Sequence, residues 1–283
     1  MSTAEYQVLG DVFLIAIVAL FALALPGYAL VRKRFPESDW NLGGNVGTSV
    51  IQPLDLIIAG GYVLLFFAGW KSLPDTMAKA AEKEMTVSGV VINQVGMLIL
   101  AGLIPAVLFW RADVREFFGL RWEGWKKVFW MAPLFVFGMM ALVSLQLGLG
   151  WKEWTEGRFG ANPQSSVTML QESKDLALLL VVAFSAVVIA PLTEEVIFRG
   201  YLYPVVKRFT DRWFAALFTG VLFGVIHFNV FSLPTLTVIG VVLVILYEKT
   251  GSLWITIACH VAFNATTVGA NLVPRIMSSL SGS

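Results

Sequence analysis

A single cysteine, Cys259, stands in the chain, so no disulfide can close within it, and cysteine usage says nothing about redox compartment. Charge is scarce: Asp, Glu, Lys and Arg make up 14% of 283 residues, where a soluble domain carries about 25%. The net charge of +1 excludes the dense basic footprint of a nucleic-acid binder, and no nucleic-acid partner is expected. No run of ten-residue segments with alternating polarity is present, which excludes a membrane β-barrel. Neither an internal repeat nor a low-complexity tract occurs. Residues Met1 to Gly10 contain no Lys or Arg. The positive n-region of a secretory signal is thus missing, and the first apolar run is expected to remain as a helix. Histidine is nearly absent too: there are two, His227 and His260.

What is abundant is apolar surface, 57% of the residues, with mean hydropathy +0.76. A bilayer-crossing helix needs about 20 mostly apolar residues. Eight stretches qualify, near 12–31, 54–70, 88–109, 128–149, 176–198, 213–230, 232–247 and 252–272. The expected fold is an all-α polytopic membrane protein with about eight transmembrane helices. Its divisions are an N-terminal four-helix region (1–150), an outer loop (151–175), a helical core (176–272) and a C-terminal tail (273–283). Lys and Arg bias the orientation. Thirteen fall on the side of Arg32, Arg111, Lys126, Arg199, Lys207 and Lys249, against seven on the side of Lys71, Lys83, Lys152, Lys174 and Arg275. That predicts the thirteen-charge side in the cytoplasm and both termini outside. Residues 110–130 mix cations with Trp110, Phe117, Phe118, Trp122, Trp125 and Trp130, a composition suited to the cytoplasmic headgroup layer. Trp151, Trp154 and Pro163 mark 151–175 as the largest outer loop.

Chemistry concentrates in 191–264, where ionisable groups interrupt apolar runs. An ionisable side chain at membrane depth is costly, about 2.5–3.5 kcal/mol on insertion scales, and reads as functional by default. Glu195 and Arg199 are four apart with Glu first, the favourable order for a helical pair. Glu194 is rotated by about 100° from Glu195 and is left free. Phe223 lies one turn below His227, and His260 shares a face with Asn264. Pro191, three residues before Glu194, can bend the helix there. Peptide hydrolysis needs an activated water and a donor for the developing oxyanion. Glu194 can take the proton from water, His227 can orient that water, and His260 with Asn264 can offer N–H donors. Ser185 is near but has no histidine partner in the pattern. Each group also has an ordinary reading. The Glu pair can sit beside interfacial cations, and the histidines and Asn264 can be interhelical hydrogen-bonding groups. Asp55, Asn93, Gln94 and Gln146 are read as such groups, and Cys259 as core. Depth sets a condition. Counting 1.5 Å per residue, His260 lies about 12 Å past Ser252 and His227 about 21 Å past Trp213. The two meet only if the sixth helix begins outside the bilayer or tilts.

Glu194-Glu195-x-x-x-Arg199, Phe223-x-x-x-His227 and His260-x-x-x-Asn264, in that order, resemble the three motifs of the CAAX-protease and bacteriocin-processing family. Gly251-Ser252-Leu253-Trp254 is similar to the family's lead-in to the last motif. The resemblance covers about 175–272. It implies an intramembrane glutamate endopeptidase with an all-helical core. Glu194 and His227 would activate water, His260 and Asn264 would stabilise the oxyanion, and Glu195 and Arg199 would support them. It further implies a membrane protein or peptide as substrate, a multi-pass location, taken as the cell membrane with the site toward the cytoplasm, and no cofactor. Three alternatives stay open. Two histidines and a carboxylate can hold zinc, giving a metalloprotease, although no His-Glu-x-x-His helix is present. Intramembrane Glu, His and Arg suit a proton-coupled transporter. A non-catalytic membrane immunity or binding protein could keep the same fold.

Overall fold

The computed structural model describes residues 3–36, 44–82, 86–121, 124–159, 165–173, 175–227 and 229–281, and no strand occurs among them. The helices are α1 (Thr3–Arg34), α2 (Pro53–Glu82), α3 (Val87–Leu108), the single turn α4 (Val114–Phe117), α5 (Val128–Gly148), α6 (Trp151–Phe159), α7 (Ser165–Glu172), α8 (Leu176–Phe209), α9 (Arg212–Val225), α10 (Leu233–Thr250) and α11 (Leu253–Ser281). Of the expected interfacial and loop residues, Trp122, Pro163, Lys83 and Lys174 lie outside the described residues, as do 282–283 of the tail.

The protein is an all-α, multi-pass integral membrane protein. Among the described residues, six helical segments are long and apolar enough to cross a bilayer: Ile15–Arg34, Val87–Leu108, Trp125–Gly148, Leu176–Phe209, Leu233–Thr250 and Leu253–Val273. The expected spans at 54–70 and 213–230 are helical as well, but their apolar parts, Pro53–Phe66 and Arg212–Val225, are shorter. Helix α2 runs on into Lys71, Pro74 and Asp75, and α9 stops where the chain turns through Asn229 toward Pro234.

Helix α8 is the axis of the fold. Asp175 starts it by accepting from the backbone N–H groups of Ala177 (2.8 Å) and Leu178 (3.3 Å). Near its C-terminal end it is buried all round: Ile197, Phe198, Tyr201, Leu202, Tyr203 and Val205 are sealed in the core. Its length, about 51 Å at 1.5 Å per residue, exceeds the bilayer core. Two turns of it, Ser185–Ile189 and Phe198–Leu202, are π-helical. Each precedes a proline, at Pro191 and Pro204. A proline ring inside a regular helix strikes the carbonyl four residues back, and the wider π turn makes room for it.

Helix α9 lies directly on α10. A side chain on Gly220, Gly224 or Gly240 would strike the neighbouring helix: a Cβ on Gly240 would stand 2.6 Å from Gly220 Cα. Small residues at this spacing let two backbones touch, which is how helices pack where lipid supplies no hydrophobic drive. Asp211 caps α9, accepting from Trp213 N (2.6 Å) and Phe214 N (3.1 Å). Gly251, at φ 64°, closes α10 in the left-handed conformation.

One end of the bundle gathers the basic loops. Arg32 donates to the carbonyls of Arg208 (2.8 Å) and Thr210, and Asn45 Nδ2 donates to Lys249 O (3.0 Å). Several ionic groups there are internal. Asp55, fully buried, accepts from Arg111 (2.7 Å), Tyr201 (2.8 Å) and Gln52 N (2.7 Å). Lys207, also fully buried, donates to Glu248 and to Val46 O (3.0 Å). Two expectations are corrected here. Helix α8 continues to Phe209 rather than ending at 198, so Arg199 and Lys207 are core residues and not loop charges. Phe118 is buried rather than interfacial, packed so tightly that a Cβ on Gly200 would lie 2.8 Å from its ring.

Candidate active site

Helix α8 carries Glu194 and Glu195 between its two π turns. Glu195 points inward and is fully buried. Its Oε1 accepts from Arg199 Nη1 at 2.8 Å, the pairing the four-residue spacing predicts, and from His260 Nδ1 at 2.9 Å. Arg199 is equally enclosed. Its Nη2 donates to Gly240 O at 3.3 Å, and its guanidinium lies over the Phe223 ring at 4.4 Å. This contact ties α8 to the α9–α10 pair, because Gly240 is the residue on which those helices touch.

The hydrogen-bond partners fix both imidazoles. A carboxylate only accepts, so His260 carries a proton on Nδ1, and its Nε2 faces Glu194 Oε2 at 3.7 Å. That gap is too long for a direct hydrogen bond. A backbone carbonyl also only accepts, so His227, whose Nδ1 lies 2.7 Å from Phe223 O, keeps Nε2 as its basic nitrogen. The Phe223 ring contacts both imidazoles edge-on, with centroid distances of 4.9 Å to His227 and 5.7 Å to His260. Phe223 is thus a neighbour of both rings and not only of one.

The depth condition is met by an arrangement the sequence reading did not contain. Helix α11 does not begin at the surface. The segment following α4 folds over its start: Leu253 N–H donates to Phe118 O (3.1 Å) and Trp254 Nε1 to Leu120 O (3.0 Å). His260 therefore begins its count from inside the bundle, and it meets His227 at the far end of the short α9.

Asn264 lines the same space as His260, but its amide is partly spoken for: Nδ2 donates to Ala186 O at 2.8 Å. Ser185 is buried in the first π turn, and Cys259 is core, as expected. Two adjoining cavities, of about 580 and 540 Å³, share Glu194, His227 and Asn264 in their walls. The first reaches past Gln146, Thr235 and Asn229 to Lys152 and Glu156. The second runs past Val90, Asn93 and Gln94 to Leu170 and Val182. Gln146, paired with Thr235, and Asn93 and Gln94 are therefore wall residues as well as helix-packing polar groups. Asn229 and Thr235 belong to this wall and were not singled out from the sequence; a polar residue beside a helix-starting proline was the available signal.

These walls lie toward α6, α7 and the α9–α10 turn, at the end of the bundle opposite the basic loops. A basic cytoplasmic end and a cytoplasm-facing site are both expected from the sequence, yet this geometry admits only one of them. Among the described residues, no three His, Cys, Asp or Glu side chains come together as a set able to hold a metal ion. The donor set thus does not fit the zinc site considered above.

The fold and the site together define a multi-pass membrane protein with a carboxylate–imidazole chamber inside its helical bundle. Residues 176–266 match the family model of the type II CAAX prenyl endopeptidase Rce1-like proteins. The chain is also 30% identical over 118 residues, 42% of its own length and 46% of the relative's, to a Bacillus subtilis (strain 168) protein described as a membrane peptidase, YdiL. Over this segment the chain is similar to the CAAX-protease and bacteriocin-processing family. It spans about half the length of the curated relative it matches. No solved structure matches the chain.

Proposed function

We propose that the chain is an intramembrane endopeptidase that hydrolyses a peptide bond in a membrane protein or membrane-bound peptide, with water activated by Glu194. The observation that carries this reading is the division of labour between adjacent carboxylates. Glu195 is consumed by Arg199 and His260, whereas Glu194 faces the cavities with His260 Nε2 at 3.7 Å, beyond direct hydrogen-bond reach. A water held between Glu194 and the basic Nε2 of His227 loses a proton to Glu194 and attacks the scissile carbonyl. The oxyanion accepts from His260 Nε2–H, and Glu194 returns the proton to the departing amine. In this step His260 donates from both ring nitrogens, Nδ1–H to Glu195 and Nε2–H to the oxyanion. Glu195 acts as the orienting carboxylate for His260. The second cavity, lined by Val90, Leu170 and Val182, suits an apolar flank of the substrate.

The protein is placed in the cell membrane, with the basic end in the cytoplasm and the cavities toward the other face. Removing the buried Arg199 and Lys207 from the count leaves eleven basic residues at that end against seven, so the bias keeps its direction.

The test is a comparison of protein and peptide termini in cells carrying the intact chain and cells carrying Glu194→Gln. A peptide bond cut only in the former supports the assignment. Identical sets of termini, together with a proton flux that depends on Glu194, would favour the transporter; identical sets with an unchanged phenotype would favour the non-catalytic protein.

A further inference from the structure

The first π turn of α8 leaves one carbonyl without a helical donor. Within Ser185–Ile189 the backbone N–H of Ala190 donates to Ser185 O, five residues back, instead of to Ala186 O. The donor that the widened register would next supply to Ala186 O is residue 191, which is proline and has no N–H. The carbonyl belongs to a partly buried residue in the wall of the second cavity, where an acceptor without a helical donor still needs a partner. It is met by Asn264 Nδ2 of α11 at 2.8 Å. Asn264 follows His260 by one turn, and Ala186 precedes Glu194 by eight residues. The single bond therefore sets α11 against α8 one turn of α11 from His260 and about two turns of α8 from Glu194.

We propose that Asn264 is a positioning residue that closes the carbonyl orphaned by Pro191, and so holds His260 Nε2 in register with Glu194. The inference rests on the protease reading and changes the expected share of Asn264 in it. Its amide fixes the geometry of the site, while the oxyanion is served by His260.

A proline-dependent rescue tests it. Asn264→Leu keeps the side-chain bulk and removes the donor; kcat falls about 10- to 100-fold, the size expected when one buried carbonyl loses its partner, with KM changed less than about twofold. Pro191→Ala restores a backbone N–H at position 191 that can reach Ala186 O. The Glu195–Arg199–His260 contacts keep the helix in phase, so this variant alone stays within about threefold of the parent kcat. Combined with Asn264→Leu it recovers at least half of the lost activation free energy, and the thermal midpoint lowered by Asn264→Leu recovers with it. An inactive double variant, or a Pro191→Ala variant inactive by itself, overturns the inference. If the parent chain cuts no peptide while Glu194→Gln behaves identically, the protease reading is what fails. The thermal midpoints of the same four proteins then still decide the role of Asn264.

Discussion

Adjacent glutamates should fail in opposite ways when each is made neutral. Glu195→Gln changes no volume, so its effect is that of charge. Arg199 keeps Gly240 O and the Phe223 ring but loses the carboxylate 2.8 Å away, inside a core where its side chain is 1% exposed. Breaking a buried pair by removing one partner costs about 3–5 kcal/mol. At about 2–4 °C per kcal/mol for a chain of this size, the thermal midpoint in detergent falls by about 6–20 °C. Glu194→Gln removes a carboxylate that faces the cavities and makes no direct hydrogen bond to His260; the midpoint moves by less than about 2 °C, while turnover is abolished. Replacing both members of the pair, Glu195→Leu with Arg199→Met, recovers most of the stability and none of the activity, since His260 then has no acceptor to hold it. Thermal unfolding followed by tryptophan fluorescence reads all four proteins. A Glu195→Gln protein as stable as the parent, or a Glu194→Gln protein as unstable as Glu195→Gln, would refute the assignment of structural and chemical roles to the two residues.

Gly240→Ala should lower stability by about 1–3 kcal/mol, because the added Cβ meets the Gly220 backbone 2.6 Å away and α9 must move off α10. The same shift displaces His227 and the carbonyl that holds Arg199, so turnover falls with the thermal midpoint; an unchanged midpoint contradicts the close packing. Membrane-impermeant thiol reagents report orientation, since the native Cys259 is buried. In intact cells, a cysteine at Glu153→Cys, near the cavities, is labelled, and one at Lys126→Cys, at the basic end, is protected. The reverse pattern puts the chamber toward the cytoplasm.

The features legible in the sequence are those set within one helix. The Glu195–Arg199 pair, the shared face of His260 and Asn264, and the contact of Phe223 with His227 all follow from residues four apart; the rings of the last pair meet edge-on rather than stacked. Asp55 and Gln146 were read as interhelical hydrogen-bonding groups, and they bond Tyr201 and Thr235. What remained hidden depends on contacts between distant segments. Nothing local says that the stretch after α4 will cover the start of α11, and without that cover the two histidines cannot be matched in depth. Lys207 looks like a loop cation until Glu248 and Val46 O are known to surround it. Pro191 was noticed, but the second proline, Pro204, closes an equivalent π turn and carried the same signal. Asn264 shows the limit most clearly: its face was predictable, whereas its partner, a carbonyl released by a proline on another helix, was not.

The central claim is that Glu194 delivers water directly to a peptide carbonyl. The measurement that reaches it is turnover of the peptide that accumulates in Glu194→Gln cells, run with the purified parent protein in H2(18)O containing hydroxylamine. One 18O atom in the new carboxylate and no hydroxamate is the predicted product, with the rate unchanged after treatment with a chelator. A hydroxamate product would reveal a covalent acyl intermediate on the protein and contradict direct attack by water.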